Sequence, residues 1–264
     1  MTASSWTPNS PISRAVLGIL GALLLLLLWQ AAASAQVFGQ GLPTVGATLA
    51  ELAALLGSGD FWADTWITVW LAALGLVLSV ICGVILGLVI GTIDTVRYLT
   101  LAVTEFLKPI PPIVILPLMV MIFGPTNTMA LVLVLCGSVL ATTIQVIAGV
   151  NDTDPVALNT ARSFGMGPVE RLWRITLPSA APYIGTSVRI GAPTALIIVV
   201  VAGLLGGAPG LGSAIYGAQA SGNYPLVYAL VLVLGVLGLL AQNCSALIER
   251  RVLHWHPAFR KVEK

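Results

Sequence analysis

Charge is what this chain has least of: 8% of its 264 residues are Asp, Glu, Lys or Arg, against about 25% in an average soluble domain. So little charge cannot clothe a water-facing surface. It excludes the soluble classes and points to an integral membrane protein. Lysine is scarcer still, with only Lys108, Lys261 and Lys264. A phosphate-binding loop requires Gly-x-x-x-x-Gly-Lys-Ser/Thr, and none of the three lysines has that context, so the sequence carries no ATP-binding loop of that kind. The only histidines are His254 and His256, and no apolar run carries an acidic pair. That leaves membrane proteolysis without a catalytic constellation, and one His-x-His pair alone is a poor metal site; no metal ligand set and no catalytic residue is assigned. Cys82, Cys136 and Cys244 all fall in apolar runs, where they read as small packing residues and not as a disulfide framework.

What is present is long apolar runs. Residues 15–33, 65–91, 128–149, 183–206 and 224–247 are each close to the roughly 20 residues that a helix needs to cross about 30 Å of hydrocarbon. The run 109–123 is short, and we extend it backwards through 98–107, with Glu105 and Lys108 near the headgroups. The expectation is therefore an all-α membrane protein of six transmembrane helices. All twelve basic residues then fall on one side: Arg14; Arg97 and Lys108; Arg162, Arg171, Arg174 and Arg189; Arg250, Arg251, Arg260, Lys261 and Lys264. The opposite segments, 34–64, 124–127 and 207–223, hold only Glu51, Asp60 and Asp64. The positive-inside rule makes the basic side the cytoplasm and both termini cytoplasmic. A different reading of the N-terminus takes residues 15–29 with Ala33-Ser34-Ala35 as a cleaved signal peptide, which leaves five spans. The organisation expected is a tail over 1–14, one membrane domain over 15–249 and a basic cytoplasmic tail over 250–264.

Several local features stand out. Val45, Leu49, Leu52, Ala53 and Leu56 recur at helical spacing after Pro43-Thr44, as in a short helix lying on the outer surface. Phe61, Trp62, Trp66 and Trp70 form an aromatic belt where the second span enters the bilayer. Gly83, Gly87 and Gly91 share one helical face and permit close helix approach, within the chain or between copies. Pro109, Pro111, Pro112 and Pro117 remove backbone donors from the third span. Broken backbone at membrane depth survives only beside protein or a water-filled cavity, so Pro111, Pro112 and Pro117 mark either the wall of a path or a structural kink. Gly203, Gly206 and Gly207 with Pro209, Gly210 and Gly212 suggest a hinge, an outer constriction or a flexible external loop. Ser138, Thr142, Thr143 and Gln145 are polar groups inside the fourth span, either lining a path or bonding between helices.

The polar segment 151–182 interrupts this pattern. Asp154-Pro155 is a sound helix start, and the helix runs 156–164 to Gly165, a C-cap type residue. Pro168 opens a second helix in which Glu170 and Arg174 stand four apart, and Pro178 ends it. Two short helices around a glycine turn make a knob suited to a cleft on another protein.

Here the sequence resembles the permease subunits of bacterial ABC importers, whose cytoplasmic loop reads Glu-Ala-Ala, three residues, Gly, nine residues, Ile, one residue, Leu-Pro. Asn159, Thr160, Ala161, Gly165, Ile175, Leu177 and Pro178 occupy those positions at full spacing, with Arg162, Met166, Gly167, Glu170 and Arg171 between them. The stretches KPIPPIVILPLMVMIFG (108–124) and ERRVLHWHP (249–257) narrow the likeness to members that import sulfonates, taurine, nitrate or vitamin precursors. With LPTVGATLAELAALLGSG (42–59) it spans nearly the whole chain. The resemblance implies a type I importer core in a bacterial inner membrane, working as a permease dimer, a homodimer in the simplest case. It also implies two cytoplasmic ATPases that bind ATP and magnesium, an extracytoplasmic binding protein, lipid around the helices and no nucleic acid. Asn159 stands where the family's glutamate can pair with a basic residue of the ATPase, so only a hydrogen bond is expected from it. Pro111, Pro112, Pro117, Ser138, Thr142 and Gln145 are the candidates for the translocation path. The competing class is an ion-coupled carrier or channel, which ordinarily places an ionisable residue in the membrane.

Overall fold

The computed structural model describes residues 11–254. Trp255, His256, Arg260, Lys261 and Lys264, and most of the 1–14 tail, lie outside the described residues. Among them every regular element is helical: α1 (Pro11–Ser34), α2 (Val45–Leu56), α3 (Gly59–Thr92), α4 (Asp94–Leu107), α5 (Leu116–Phe123), α6 (Asn127–Asn151), α7 (Pro155–Ser163), α8 (Pro168–Arg171), α9 (Leu177–Gly206), α10 (Leu211–Ala220) and α11 (Tyr224–Val252). Five apolar stretches, carried by α1, α3, α6, α9 and α11, are long enough to cross a bilayer.

Helix starts follow from capping chemistry. The side chains of Thr44, Ser58, Thr126 and Asn223 accept from the backbone N–H of Ala47, Phe61, Met129 and Leu226, each satisfying a donor that the first turn leaves orphaned. The short helix expected after Pro43-Thr44 is found at α2. Of the expected aromatic belt, Trp62, Trp66 and Trp70 are exposed, with the Trp66 and Trp70 rings stacked at 6.1 Å, whereas Phe61 is buried with Leu211, Ile215 and Leu230. The sides of α1 are exposed along its apolar length, and its outer end is tied down. There Trp29 donates to the Pro43 carbonyl at 2.9 Å, and Gln30 Oε1 accepts from Val45 N–H at 3.0 Å.

The core is the seam between α3 and α6. A Cβ built at Gly75, Gly83, Gly87 or Gly91 would lie 2.5–2.9 Å from the side chain of Val134, Thr142, Val146 or Val150 respectively, closer than real side chains come. The glycine face therefore packs within the chain. From this seam α9 closes a third side, burying Met129, Ala130, Leu133 and Val134 of α6 with Ala195, Leu196, Val199 and Ala202 of α9.

Three expectations are corrected. The third span is not one helix: α4 and the stretch Pro112–Phe123 meet at 83°, because Pro109, Pro111 and Pro112 remove three of four successive donors and Pro111 is extended. The segment 207–223, for which a flexible external loop is one expectation, is not a flexible loop. It contains α10, with Leu211, Gly212, Ile215 and Ala218 buried; Gly203 and Gly212 let the two backbones touch, and Leu211 N–H donates to Thr68 Oγ1 at 2.9 Å. The cysteines lie in α3, α6 and α11 as expected but are exposed and do not pack the interior.

The seam yields a prediction. Gly87→Ala lowers stability by about 1–3 kcal/mol through overpacking, whereas Gly238→Ala, with open space around it, leaves it unchanged. Detergent thermal unfolding measures both, and adding Val146→Ala to Gly87→Ala should recover part of the loss.

Candidate functional site

Two regions carry the residues singled out by sequence. The first is the polar knob. Asp154 Oδ1 accepts from Val156 N–H at 2.8 Å and starts α7. The helix stops where Gly165 takes φ +78°, a left-handed value that favours glycine. Gly165 N–H then reaches the Arg162 carbonyl at 2.9 Å and Met166 N–H the Ala161 carbonyl at 3.0 Å, closing the last turn over buried Ala161. Past Gly167, Glu170 of α8 pairs at 3.3 Å with Arg174 in the turn that follows, both groups exposed; such a pair is worth about 0.3–0.5 kcal/mol.

Pro178 does not end this second helix. The backbone widens into a π turn over Leu172–Thr176 and continues directly into α9. A proline in an unbroken α-helix would press its ring on the carbonyl four residues back, and the wider turn relieves that contact. The knob is thus one free helix, a glycine turn, and the protruding end of a long membrane helix. Asn159 does not present a free side chain. Its Oδ1 accepts from Arg162 Nη1 at 3.3 Å, and its carbonyl accepts from Ser163 Oγ at 3.2 Å. The structure adds residues that the sequence reading passed over: Phe164, Val169 and Trp173 are 81%, 67% and 65% exposed. Their signal was present as large apolar side chains within an otherwise polar segment. Thr160, Arg162 and Glu170 are exposed beside them, Met166, Arg171, Ile175 and Leu177 partly so.

The second region is a pair of adjoining cavities on α6. The larger, about 740 Å³, is mainly apolar and is lined by Pro111 and Pro112 with Thr104, Lys108, Cys136 and Ile144. Pro112 seats on Gly137, where a Cβ would lie 2.6 Å from its ring. Pro117, in the first turn of α5, lines neither cavity. The smaller, about 170 Å³, is lined by Ser138, Thr142 and Gln145 of α6 and by Ser187 and Thr194 of α9, with small or apolar residues between. Ser187 and Thr194 were not singled out by sequence; they are hydroxyl residues seven apart on α9, two helical turns and so one face. The cavities share Gly137 and Ala141. The expected alternative of interhelical hydrogen bonds is not what forms here: the Thr143 hydroxyl donates to Val139 of its own helix at 2.8 Å, and the Ser138 hydroxyl is buried without a partner.

Three polar contacts tie the helix ends together. Arg97 Nη1 donates to Asn151 Oδ1 at 3.2 Å, Tyr183 O–H donates to Asp152 Oδ2 at 3.0 Å, and Arg189 meets Glu249 at 3.7 Å. The last joins α9 to α11, with the Glu249 side chain 4% exposed and Arg189 half in solvent. Among the described residues no group of acidic, histidine or cysteine side chains could hold a metal ion.

The family described as binding-protein-dependent transport system inner membrane component matches residues 79–254. The chain is 30% identical over 165 residues to the taurine transport system permease protein TauC of Escherichia coli K12, covering 61% of this chain and 59% of that one. It is 26% identical over 149 residues to the nitrate import permease protein NrtB of Leptolyngbya laminosa, covering 56% and 53%. The alignments thus span little more than half the length of these curated relatives. Among solved structures, the inward-facing MetNI methionine ABC transporter superposes with a TM-score of 0.62 at 21% identity, over 74% of this chain and 99% of that one. A bacterial ABC transporter that imports alginate gives 0.65 at 17%, over 91% and 97%. These two likenesses speak to the fold alone.

The ion pair supplies a test. Arg189→Met leaves a buried carboxylate without its partner and should lower the unfolding temperature clearly, whereas Arg174→Ala, removing an exposed pair, should cost about 0.5 kcal/mol or less. Equal shifts in detergent thermal unfolding would sink the distinction.

Proposed function

This chain belongs to the family of binding-protein-dependent transport system inner membrane components, and we propose that it is the permease subunit of an ATP-driven importer for a small organic or oxyanionic solute. The observation that carries the reading is the knob: Phe164, Val169 and Trp173 stand exposed among Arg162, Arg171 and Arg174, on a protrusion continuous with a membrane helix. Large apolar side chains in water beside arginines suit burial in a partner's cleft. We take that partner to be a cytoplasmic ATPase dimer, which holds the ATP and magnesium that this chain has no loop to bind. ATP-driven closure of the ATPases would push the knob, turn α9 as a rigid lever and open the path inwards.

In this reading the bent pair of α4 and Pro112–Phe123 is the third of six spans, and the basic side is cytoplasmic, with both termini there. The membrane domain runs over 15–249, and the chain sits as a multi-pass protein in a bacterial inner membrane. A second permease copy completes the path, and an extracytoplasmic binding protein delivers the solute. The cavities lined by Pro111, Pro112, Ser138, Thr142 and Gln145 form this copy's share of the path. Relatives named for taurine, aliphatic sulfonates and nitrate support a sulfonate or a related oxyanion as the cargo.

In mild detergent the wild-type chain should co-purify with an ATPase. Phe164→Asp with Trp173→Ser should reduce that recovery at least tenfold without changing the monodispersity of the permease, and Gly165→Pro should abolish uptake. Uptake that is insensitive to ATP depletion but abolished by uncouplers would favour the ion-coupled carrier instead.

A further inference from the structure

Most hydroxyl groups inside these helices follow one habit, and the wall of the small cavity departs from it. Thr68, Thr92, Thr143, Thr186 and Thr194 each donate their proton to a carbonyl four residues back, and Ser187 donates to one three back. A buried hydroxyl in a membrane helix satisfies itself this way when nothing else is offered. Ser138 does not: it is 4% exposed and its hydroxyl has no partner. Thr142 and Gln145 likewise make no side-chain hydrogen bond among the described residues. All three line the α6 wall of the same cavity of about 170 Å³. Thr65 and Ser79 on α3 are also buried hydroxyls without a partner, but they line neither cavity; Ser138 is the one of the three that faces a space.

The two walls therefore differ in chemistry. Ser187 and Thr194, on α9, have given their protons to the Ile184 and Ile190 carbonyls at 2.8 and 2.9 Å, so they show the cavity only lone pairs. The α6 wall holds two unspent O–H groups and a carboxamide with two N–H donors. No ionisable side chain lines the space. A bare oxyanion placed here would meet α9 lone pairs and no cation, at a high desolvation cost in a low-dielectric interior. A solute with acceptor oxygens at one end and an N–H or O–H donor at the other would satisfy both walls.

We propose that this cavity is a substrate-contact site that takes a small solute bearing both acceptor oxygens and a hydrogen-bond donor, such as an aminated sulfonate, and discriminates against acceptor-only anions. The proposal rests on the importer reading and names its substrate class.

The test uses the permease–ATPase complex in lipid nanodiscs, without binding protein, and two probes matched in size, 2-aminoethanesulfonate and ethanesulfonate, at millimolar concentration. Saturation-transfer difference NMR should give the amine-bearing probe a signal about three- to tenfold above that of ethanesulfonate, the range expected when one or two hydrogen bonds are lost. Ser138→Ala with Thr142→Val should remove that excess, as should Gln145→Leu alone, which keeps both hydroxyls if the double variant fails to assemble. Thr92→Val, an exposed position on α3, should leave it intact. Equal signals for the two probes, no signal from either, or a signal indifferent to all three α6 substitutions overturns the proposal. A complex that still co-purifies and hydrolyses ATP in those cases leaves the importer reading standing, whereas failure to recover any ATPase with the wild-type chain removes that reading itself.

Discussion

The close approach of α3 to α6 requires a residue without a side chain on one helix opposite each valine or threonine of the other. That requirement is met at four levels, Gly75, Gly83, Gly87 and Gly91 against Val134, Thr142, Val146 and Val150. The partners step together in fours along both helices, so the helices run parallel with a fixed register. In a bilayer, lipid tails are as apolar as leucine, and what holds helices together is contact of this kind. Once α6 is fixed, its remaining faces are committed. One receives α9, one takes Pro112 on Gly137, and between them Ser138, Ala141 and Gln145, with the edge of Thr142 that the seam leaves open, face a space that those neighbours do not fill. The cavities are a consequence of the seam and its register.

The same logic accounts for the broken third span. Donors missing at Pro109, Pro111 and Pro112 make a straight helix impossible, and the irregular backbone must be covered by protein. Gly137 supplies the cover by admitting the Pro112 ring. The glycines of the outer segment serve the same end. Gly203 and Gly212 bring α10 against α9, and Gly210, at φ +124°, has Thr68 Oγ1 where its Cβ would be. One hydroxyl thus serves two elements: Thr68 donates to Asp64 of its own helix and accepts from Leu211. The α10 backbone is held by a side chain that hydropathy would count as a mild interruption.

The legibility of the sequence followed range. Caps, belts and spans depend on residues within a turn or two of each other, and Asp154-Pro155, Thr44, the tryptophans and the long apolar runs identified them. The turn at Gly165 was legible for the same reason. What was not legible depends on partners far along the chain. Pro178 reads locally as a stop, and continues because the π turn at Leu172–Thr176 absorbs it. Residues 207–223 read as a loop because glycine density is ambiguous until the helix that those glycines touch is known. Ser187 and Thr194 carry no local signal that they face Ser138 and Thr142 from another helix. Asn159 looked like a weakened contact for a partner, and in the fold its oxygen is already engaged by Arg162.

These parts share one mechanical element. Helix α9 begins at the knob through the π turn, meets α11 where Arg189 reaches Glu249, meets α6 where Tyr183 reaches Asp152, and carries Ser187 and Thr194 on the wall of the small cavity. Ser187 lies ten residues past Leu177, about 15 Å along the axis at 1.5 Å per residue. A helix transmits a push over that distance with little loss if it stays unbroken. The π turn sits below the Asp152 and Glu249 anchors, so bending is concentrated between the knob and the part of α9 that those anchors hold. Displacement of the knob would then either flex the π turn or the helix at Pro182, or move the anchored helix with Ser187 and Thr194 on it. Which happens is set by the contacts with α6 and α11. Under the proposed coupling, a partner that gripped Trp173, inside the π turn itself, would stiffen that segment and carry more of the push past Pro182 to the cavity wall.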